Sequence, residues 1–206
     1  MAKRDRPKRP ARMPAYQTPK PTVLVVTEGE ATEYDYLLGF KEAQHNPRIT
    51  LEVCEGVGVP LTIVRKARDM KDAAYNQSQK ESDDNIAYDQ VWCAFDVDSH
   101  PNIPEATILA NDNGIKLAIS NPCIELWLWV HFAEQPGARH RHELKHMMKQ
   151  HIPAYDKHVN YADYAPGYVN AVRRATAMDK LAESISDPGM NPTTGMWRLT
   201  ESIRKA

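Results

Sequence analysis

Glu28, Asp96 and Asp98 are the residues whose types and spacing could do chemistry in this chain. Glu28 follows the apolar run TVLVVT (22–27), and Asp96 follows VWCAF (91–95), with Asp98 one valine further on. Strands of a parallel sheet end along one edge, and ligands bind there. Acids two apart in an extended segment lie on the same face about 6–7 Å apart, and neighbouring strands lie about 4.8 Å apart. Three carboxylates gathered in this way cannot all stay ionised without a counter-charge. Few basic residues stand near them in sequence. A divalent cation held by oxygen donors alone, Mg²⁺ or Mn²⁺, is the natural remedy. Such a cation grips phosphate and supports phosphodiester or phosphoryl chemistry. A single acid at a strand end is more often a turn former or a helix cap; two strand ends with an i, i+2 partner are harder to explain that way.

The elements that must position these acids alternate along the first 130 residues. TVLVVTE (22–28) reads as a strand covered on both faces, followed by a helix over 32–44 with Thr32 as N-cap and Tyr36, Leu37 and Phe40 as its apolar stripe. A strand over 49–55, a GVGVP turn and a helix over 61–77 come next, then a polar surface loop, QKESDDN. The strand QVWCAFD (90–96) leads to a helix over 104–113 with an early proline and Gly114 at its C-terminus. IKLAIS (115–120) is a further strand, and CIELWLWVHF (123–132) a helix apolar enough all round to be buried. Helices over about 139–151, 168–185 and 195–205 complete the chain. The fold class is therefore α/β, a mainly parallel sheet flanked by helices. Residues 1–21 form a basic, proline-rich arm, 22–135 the α/β core, and 136–206 a helical extension packed on it.

Charge is unevenly spread. Residues 1–20 hold seven Lys or Arg and one acid, a local charge of +6, so the remainder carries 19 basic and 26 acidic residues, or −7. A uniformly basic nucleic-acid-binding surface is excluded, while a basic arm that tracks a phosphate backbone, or merely aids solubility, is not. The 206 residues contain no apolar run long enough for a membrane span and no signal peptide. Three scattered cysteines (Cys54, Cys93, Cys123) point to free thiols in a reducing cytoplasm. No membrane partner is expected; a homo-oligomer is compatible with the sequence.

Around the acids, Glu33 falls in the first turn of the 32–44 helix, where it can supply a second metal position or complement the helix dipole. Gly29 lets a backbone approach a phosphate closely. Ser120 and Asn121 end a strand on the same edge, as substrate contacts or as caps of the next helix. Glu125, on an apolar helix, needs a partner and can support the site from behind. His131 reads as a satisfied core histidine, and Trp127 and Trp129 as packing. Asn191, Thr193 and Thr194 can cap the last helix, and the threonines can also contact a phosphate. A rival motif, His142-Glu143-Leu144-Lys145-His146, satisfies the HExxH pattern of zinc peptidases. Its surroundings, ARHRHELKHMMKQH, are too basic and polar for a dry catalytic cavity, Lys149 stands where a longer zincin pattern wants glycine, and the third ligand would be a distant acid such as Asp163 or Glu183.

The blocks VTEGEATE (26–33), FDVD (95–98), SNPCIELWLWVHF (120–132) and NPTT (191–194), in that order, resemble the RloB-like proteins, which carry a Toprim-type catalytic core. The resemblance spans about residues 22–200. It implies Mg²⁺ (or Mn²⁺) bound through Glu28, Asp96 and Asp98, with Glu28 also a candidate general acid or base, as in primases, topoisomerases and OLD-type nucleases. It further implies a metal-dependent nuclease acting on DNA or RNA, linked to restriction or anti-phage defence, with an ABC-type ATPase as a partner. The alternatives are a non-catalytic nucleic-acid-binding partner of such an ATPase and a DxD phosphatase with Asp96 as nucleophile. The latter carries its motif on the first strand, whereas here a complete βαβα unit precedes it.

Overall fold

The computed structural model describes residues 20–29, 31–53, 59–97 and 102–205. The basic arm up to residue 19, the GVGVP turn up to Gly58, Cys54 and Asp98 lie outside the described residues. Five strands form one sheet: β1 (Val23–Thr27), β2 (Ile49–Val53), β3 (Gln90–Asp96), β4 (Lys116–Asn121) and β5 (Thr193–Thr194), in the order β2-β1-β3-β4-β5. The first four pair parallel, and β5 runs antiparallel along β4. The α/β class expected from the sequence is the one observed.

Helices cover both faces. α1 (Thr32–Gln44) lies on one face; α2 (Pro60–Glu81) and α3 (Ile103–Asp112) lie on the other. This follows from the strands' alternation. Val23 and Val25 of β1 pack with Tyr36, Leu37 and Phe40 of α1, while Leu24 and Val26 pack with Ile63, Val64 and Ala67 of α2 and Ala106 and Ala110 of α3. All four of these β1 residues are fully buried, as a strand covered on both faces must be. From β1 the chain moves outward to β2 over one face, then returns past β1 to β3 over the other. The gap between β1 and β3 is thus the point where the winding reverses, and a crevice opens there at the carboxyl ends of the strands.

The remaining helices are α4 (Glu125–Trp129), α5 (Arg141–Met148), α6 (Tyr161–Tyr164), α7 (Tyr168–Ser184) and α8 (Met196–Lys205). Residues of α4, α5, α7 and α8 share one apolar cluster with β1 and α1, including Trp127, Leu144, Ala175 and Leu199. No helix among the described residues is long and apolar enough to cross a membrane.

The local readings needed correction at several places. Thr32 is not the N-cap of α1. Ala31 precedes the helix without a side-chain cap, and the Thr32 hydroxyl donates instead to the Lys157 carbonyl at 2.8 Å. α2 runs on through half of the expected polar loop to Glu81, because Gln77, Lys80 and Glu81 are good helix formers and the Gln77 amide reaches Glu81 at 2.9 Å. α4 is shorter than the apolar pattern implied, although all five of its residues are buried. Thr193 and Thr194 form β5; of the expected caps, only Thr194 serves, accepting the Met196 N–H at 3.4 Å. Four-residue α6 has too short a pattern to stand out in the sequence.

Candidate functional site

Glu28 is the first residue beyond β1, and its N–H continues the ladder by donating to Ala94 of β3 at 3.1 Å. Its carboxylate accepts the Asp96 N–H at 3.3 Å. Two acids 68 positions apart thus meet across the β1–β3 gap, at the carboxyl edge of the sheet. The Thr27 hydroxyl donates to the Gly29 carbonyl at 3.1 Å and fixes the turn that leads into α1. A Cβ on Gly29 would lie 3.2 Å from Glu33 Oε2, so glycine leaves room for the Glu33 carboxylate to fold back over the turn.

These groups line one pocket of about 280 Å³, together with Ala31, Thr32, Ile124, Glu125, Arg141 and Lys157. Four carboxylates, from Glu28, Glu33, Asp96 and Glu125, therefore face two cations. Glu33, Asp96 and Glu125 are buried. Burial raises the Glu33 carboxyl from its ordinary 4.5 to about 7; its own backbone N–H offsets part of this, the charges of Glu28 and Glu125 add to it, and Lys157 opposes it. Asp96 is raised well above its ordinary 3.8, first by burial and then by Glu33, Glu125 and Glu28, with Arg141 pulling the other way. Among the described residues the pocket sets four carboxylates against two cations, and burial together with their mutual repulsion favours the protonated form of Glu33 and Asp96.

Each acid is placed by packing that reaches well beyond the pocket. Tyr36, one turn after Glu33 on α1, is fully buried and meets Trp127, Tyr161, Tyr164 and His131 edge-on, with ring centroids 5.3–6.2 Å apart. His131 Nδ1 lies 2.9 Å from the Trp127 carbonyl, which can only accept, so Nδ1 carries the proton and Nε2 accepts from the Tyr36 hydroxyl at 3.0 Å. Burial holds this imidazole neutral and lowers its pKa from 6.5 to about 4. It is the satisfied core histidine expected, and it locks α1 to α4. Glu125, the first residue of α4, accepts the Tyr155 hydroxyl at 3.1 Å.

Tyr155 begins a segment that straps across the start of α1. Asp35 accepts the Val159 N–H at 3.3 Å and pairs with His158 Nδ1 at 3.0 Å, while the Lys157 carbonyl takes the Thr32 hydroxyl. Lys157 itself sits at a positive φ of 96°, a conformation non-glycine residues seldom adopt. Lys157, Arg141, Tyr155 and Thr32 are the site residues that sequence reasoning missed. For the two cations the sequence signal was the unmet need of the acids for counter-charge; Thr32 was read only as a helix cap, and Tyr155 had no signal.

Other expected residues are used elsewhere. Ser120 is buried, with its hydroxyl 2.9 Å from that of Thr194 across the β4–β5 pair. Thr193 is buried and donates to the Met190 carbonyl at 2.7 Å. Neither lines the acid pocket. Asn121 donates its side-chain amide to the Gly189 carbonyl at 2.8 Å and lines a second, adjoining cavity. Trp127 and Trp129 are buried in the core as expected. In the HExxH segment, Glu143 spends its carboxylate on the His140 N–H at 2.9 Å, closing a capping box at the start of α5, and His142 and His146 are exposed. That is a helix cap on a solvated face and not a peptidase centre. Among the described residues no three His, Cys, Asp or Glu side chains stand as placed in an arrangement that could hold a metal ion; Asp98, the third expected ligand, lies outside them.

No curated protein and no solved structure matches the chain. A family model described as RloB-like protein matches residues 23–203, from the first residue of β1 almost to the end of α8. With the match running through every strand and every acid of the pocket, the chain belongs to the RloB-like protein family.

Proposed function

We propose that the protein is a metal-dependent phosphodiesterase of nucleic acid, built on a Toprim-like core, with its centre in the pocket of Glu28, Glu33, Asp96 and Glu125. The observation that carries this reading is the gathering of four carboxylates against two cations at the winding reversal of a parallel sheet. An oxygen-only donor set with surplus negative charge fits a hard divalent cation, Mg²⁺ or Mn²⁺. Glu28 and Asp96 would hold it, with Asp98 two residues beyond Asp96 in the sequence. When bound, such a cation would supply Lewis-acid polarisation of a phosphoryl oxygen and lower the pKa of a nearby water.

The chain's own side chains supply the rest. Arg141, at the start of α5, and Lys157, on the loop before α6, line the pocket with the acids and are suited to phosphate oxygens, which they would bind as the acids are neutralised. Glu33, with a pKa of about 7, can accept or return a proton at its carboxylate near neutral pH. Glu125, fixed by Tyr155, shapes the back of the pocket. The association of RloB-like proteins with restriction and anti-phage loci supports nucleic acid as the substrate and an ABC-type ATPase as a partner. The test is cleavage of labelled single- and double-stranded DNA and RNA with Mg²⁺ or Mn²⁺. Wild type cuts, and Asp96→Asn keeps the fold by circular dichroism but loses cleavage. Cleavage retained by Asp96→Asn refutes the reading.

A further inference from the structure

A second cavity of about 250 Å³ adjoins the acid pocket and has the opposite character. It is lined by Val97, Asn121, Pro122, Arg139, His140, Arg141 and Asn191. Arg141 lines both cavities, and Val97 follows Asp96 directly, so the two adjoin at the end of β3. The basic cavity is rigid at its rim. Asn191 grips the backbone of Arg139 twice, donating to its carbonyl at 2.8 Å and accepting its N–H at 3.3 Å, and Asn121 ties β4 to Gly189. These amides hold the frame, which leaves the Arg139 side chain exposed and without an ion-pair partner among the described residues.

The positive character continues along α5. Leu144 and Met148 turn inward, the opposite side presents His142, His146 and Lys149, and half-buried Lys145 lies on the flank between them. The single acid of the helix, Glu143, is held at the His140 N–H. On a body whose sequence beyond residue 20 carries −7, a basic face of this length is anomalous. Its length suits an anion of more than one group.

We propose that the Arg139–His140–Arg141 cavity is an anion subsite that seats a backbone phosphate of a nucleic-acid strand next to the acid pocket, and that the strand continues along the exposed face of α5. This rests on the nucleic-acid reading above and names the path by which substrate reaches the centre. Contacts of this kind position a strand without reading its sequence. They make affinity depend on salt, with a slope set by the number of phosphates engaged.

The experiment uses the full-length chain in EDTA, so that binding is measured without cleavage. Fluorescence anisotropy follows a labelled single-stranded RNA and a single-stranded DNA of the same sequence across a salt series. Arg139→Ala keeps the backbone bonds to Asn191, and Lys149→Ala alters only the outer face at the end of α5. Each is expected to weaken binding about tenfold and to lower the salt slope by about 1, the double variant by about 2. Lys80→Ala, an exposed lysine at the far end of α2, is the control and leaves both unchanged. Equal affinities and slopes for wild type and the Arg139 and Lys149 variants overturn the subsite, while metal-dependent cleavage by wild type would still stand. No oligonucleotide binding by wild type overturns it as well, and the loss of cleavage in Asp96→Asn then judges the centre separately. Inorganic phosphate that binds as tightly as the oligonucleotide would mark a free-anion site and overturn the strand path.

Discussion

Replacing Glu33 by Gln isolates the electrostatic cost of the acid pocket. In the unfolded chain this carboxyl titrates at its ordinary 4.5, and in the folded protein at about 7. Between these values the folded state holds a proton that the unfolded state has lost. Its contribution to stability is therefore fully present below pH 4.5 and is lost as pH rises through 7. At about 1.4 kcal/mol per pH unit, the rise corresponds to about 3 kcal/mol. Glu33→Gln keeps the shape and removes the charge. Relative to wild type, it should thus gain about 3 kcal/mol more at pH 8 than at pH 4.5. The wild-type curve alone does not isolate this, because His131 works in the opposite sense. Its pKa falls from 6.5 to about 4, so its stabilisation is complete above 6.5 and is lost as pH drops towards 4. The variant-minus-wild-type difference cancels the histidine. Urea denaturation in EDTA at a series of pH values measures it. Parallel profiles for the two proteins would show that Glu33 is not forced to hold a proton, and the crowded-acid argument would fail.

Three further outcomes follow from named contacts. Gly167→Ala would drive a Cβ into the His131 carbonyl oxygen, a backbone atom that cannot swing aside; a loss of about 3 kcal/mol should lower Tm by roughly 6–12 °C in a thermal scan. Tyr155→Phe strips the buried Glu125 of its hydroxyl donor, and urea denaturation in EDTA should show a cost of about 1–2 kcal/mol. Asp96→Asn should abolish Mg²⁺- or Mn²⁺-dependent cleavage in a gel assay while the far-ultraviolet circular dichroism stays that of wild type.

Much of this was legible in the sequence because it is local. Unbroken Val and Leu runs give strands covered on both faces, and β3 begins and ends at Gln90 and Asp96 as its pattern implies. Acids at two strand ends fall on one edge once the strands are parallel, so Glu28 and Asp96 could be paired before any geometry was known. The counter-charges were not legible. Lys157 reaches the pocket on a loop tied down by Thr32 and Asp35, and Arg141 from the start of α5, both more than 40 residues beyond Asp96. β5 is two residues long and recognisable only by its pairing with β4. Ser120 and Thr193 have the right chemistry, but the β4–β5 seam consumes it.

The central claim is that the pocket at the end of β1 and β3 holds a divalent cation between Glu28 and Asp96. Anomalous diffraction from a crystal of the protein soaked in Mn²⁺ tests it directly. The account predicts a manganese peak within coordination distance of both carboxylates, lost in Asp96→Asn crystals. A pocket free of manganese at saturating Mn²⁺, with its acids answered by Arg141 and Lys157 alone, would contradict it.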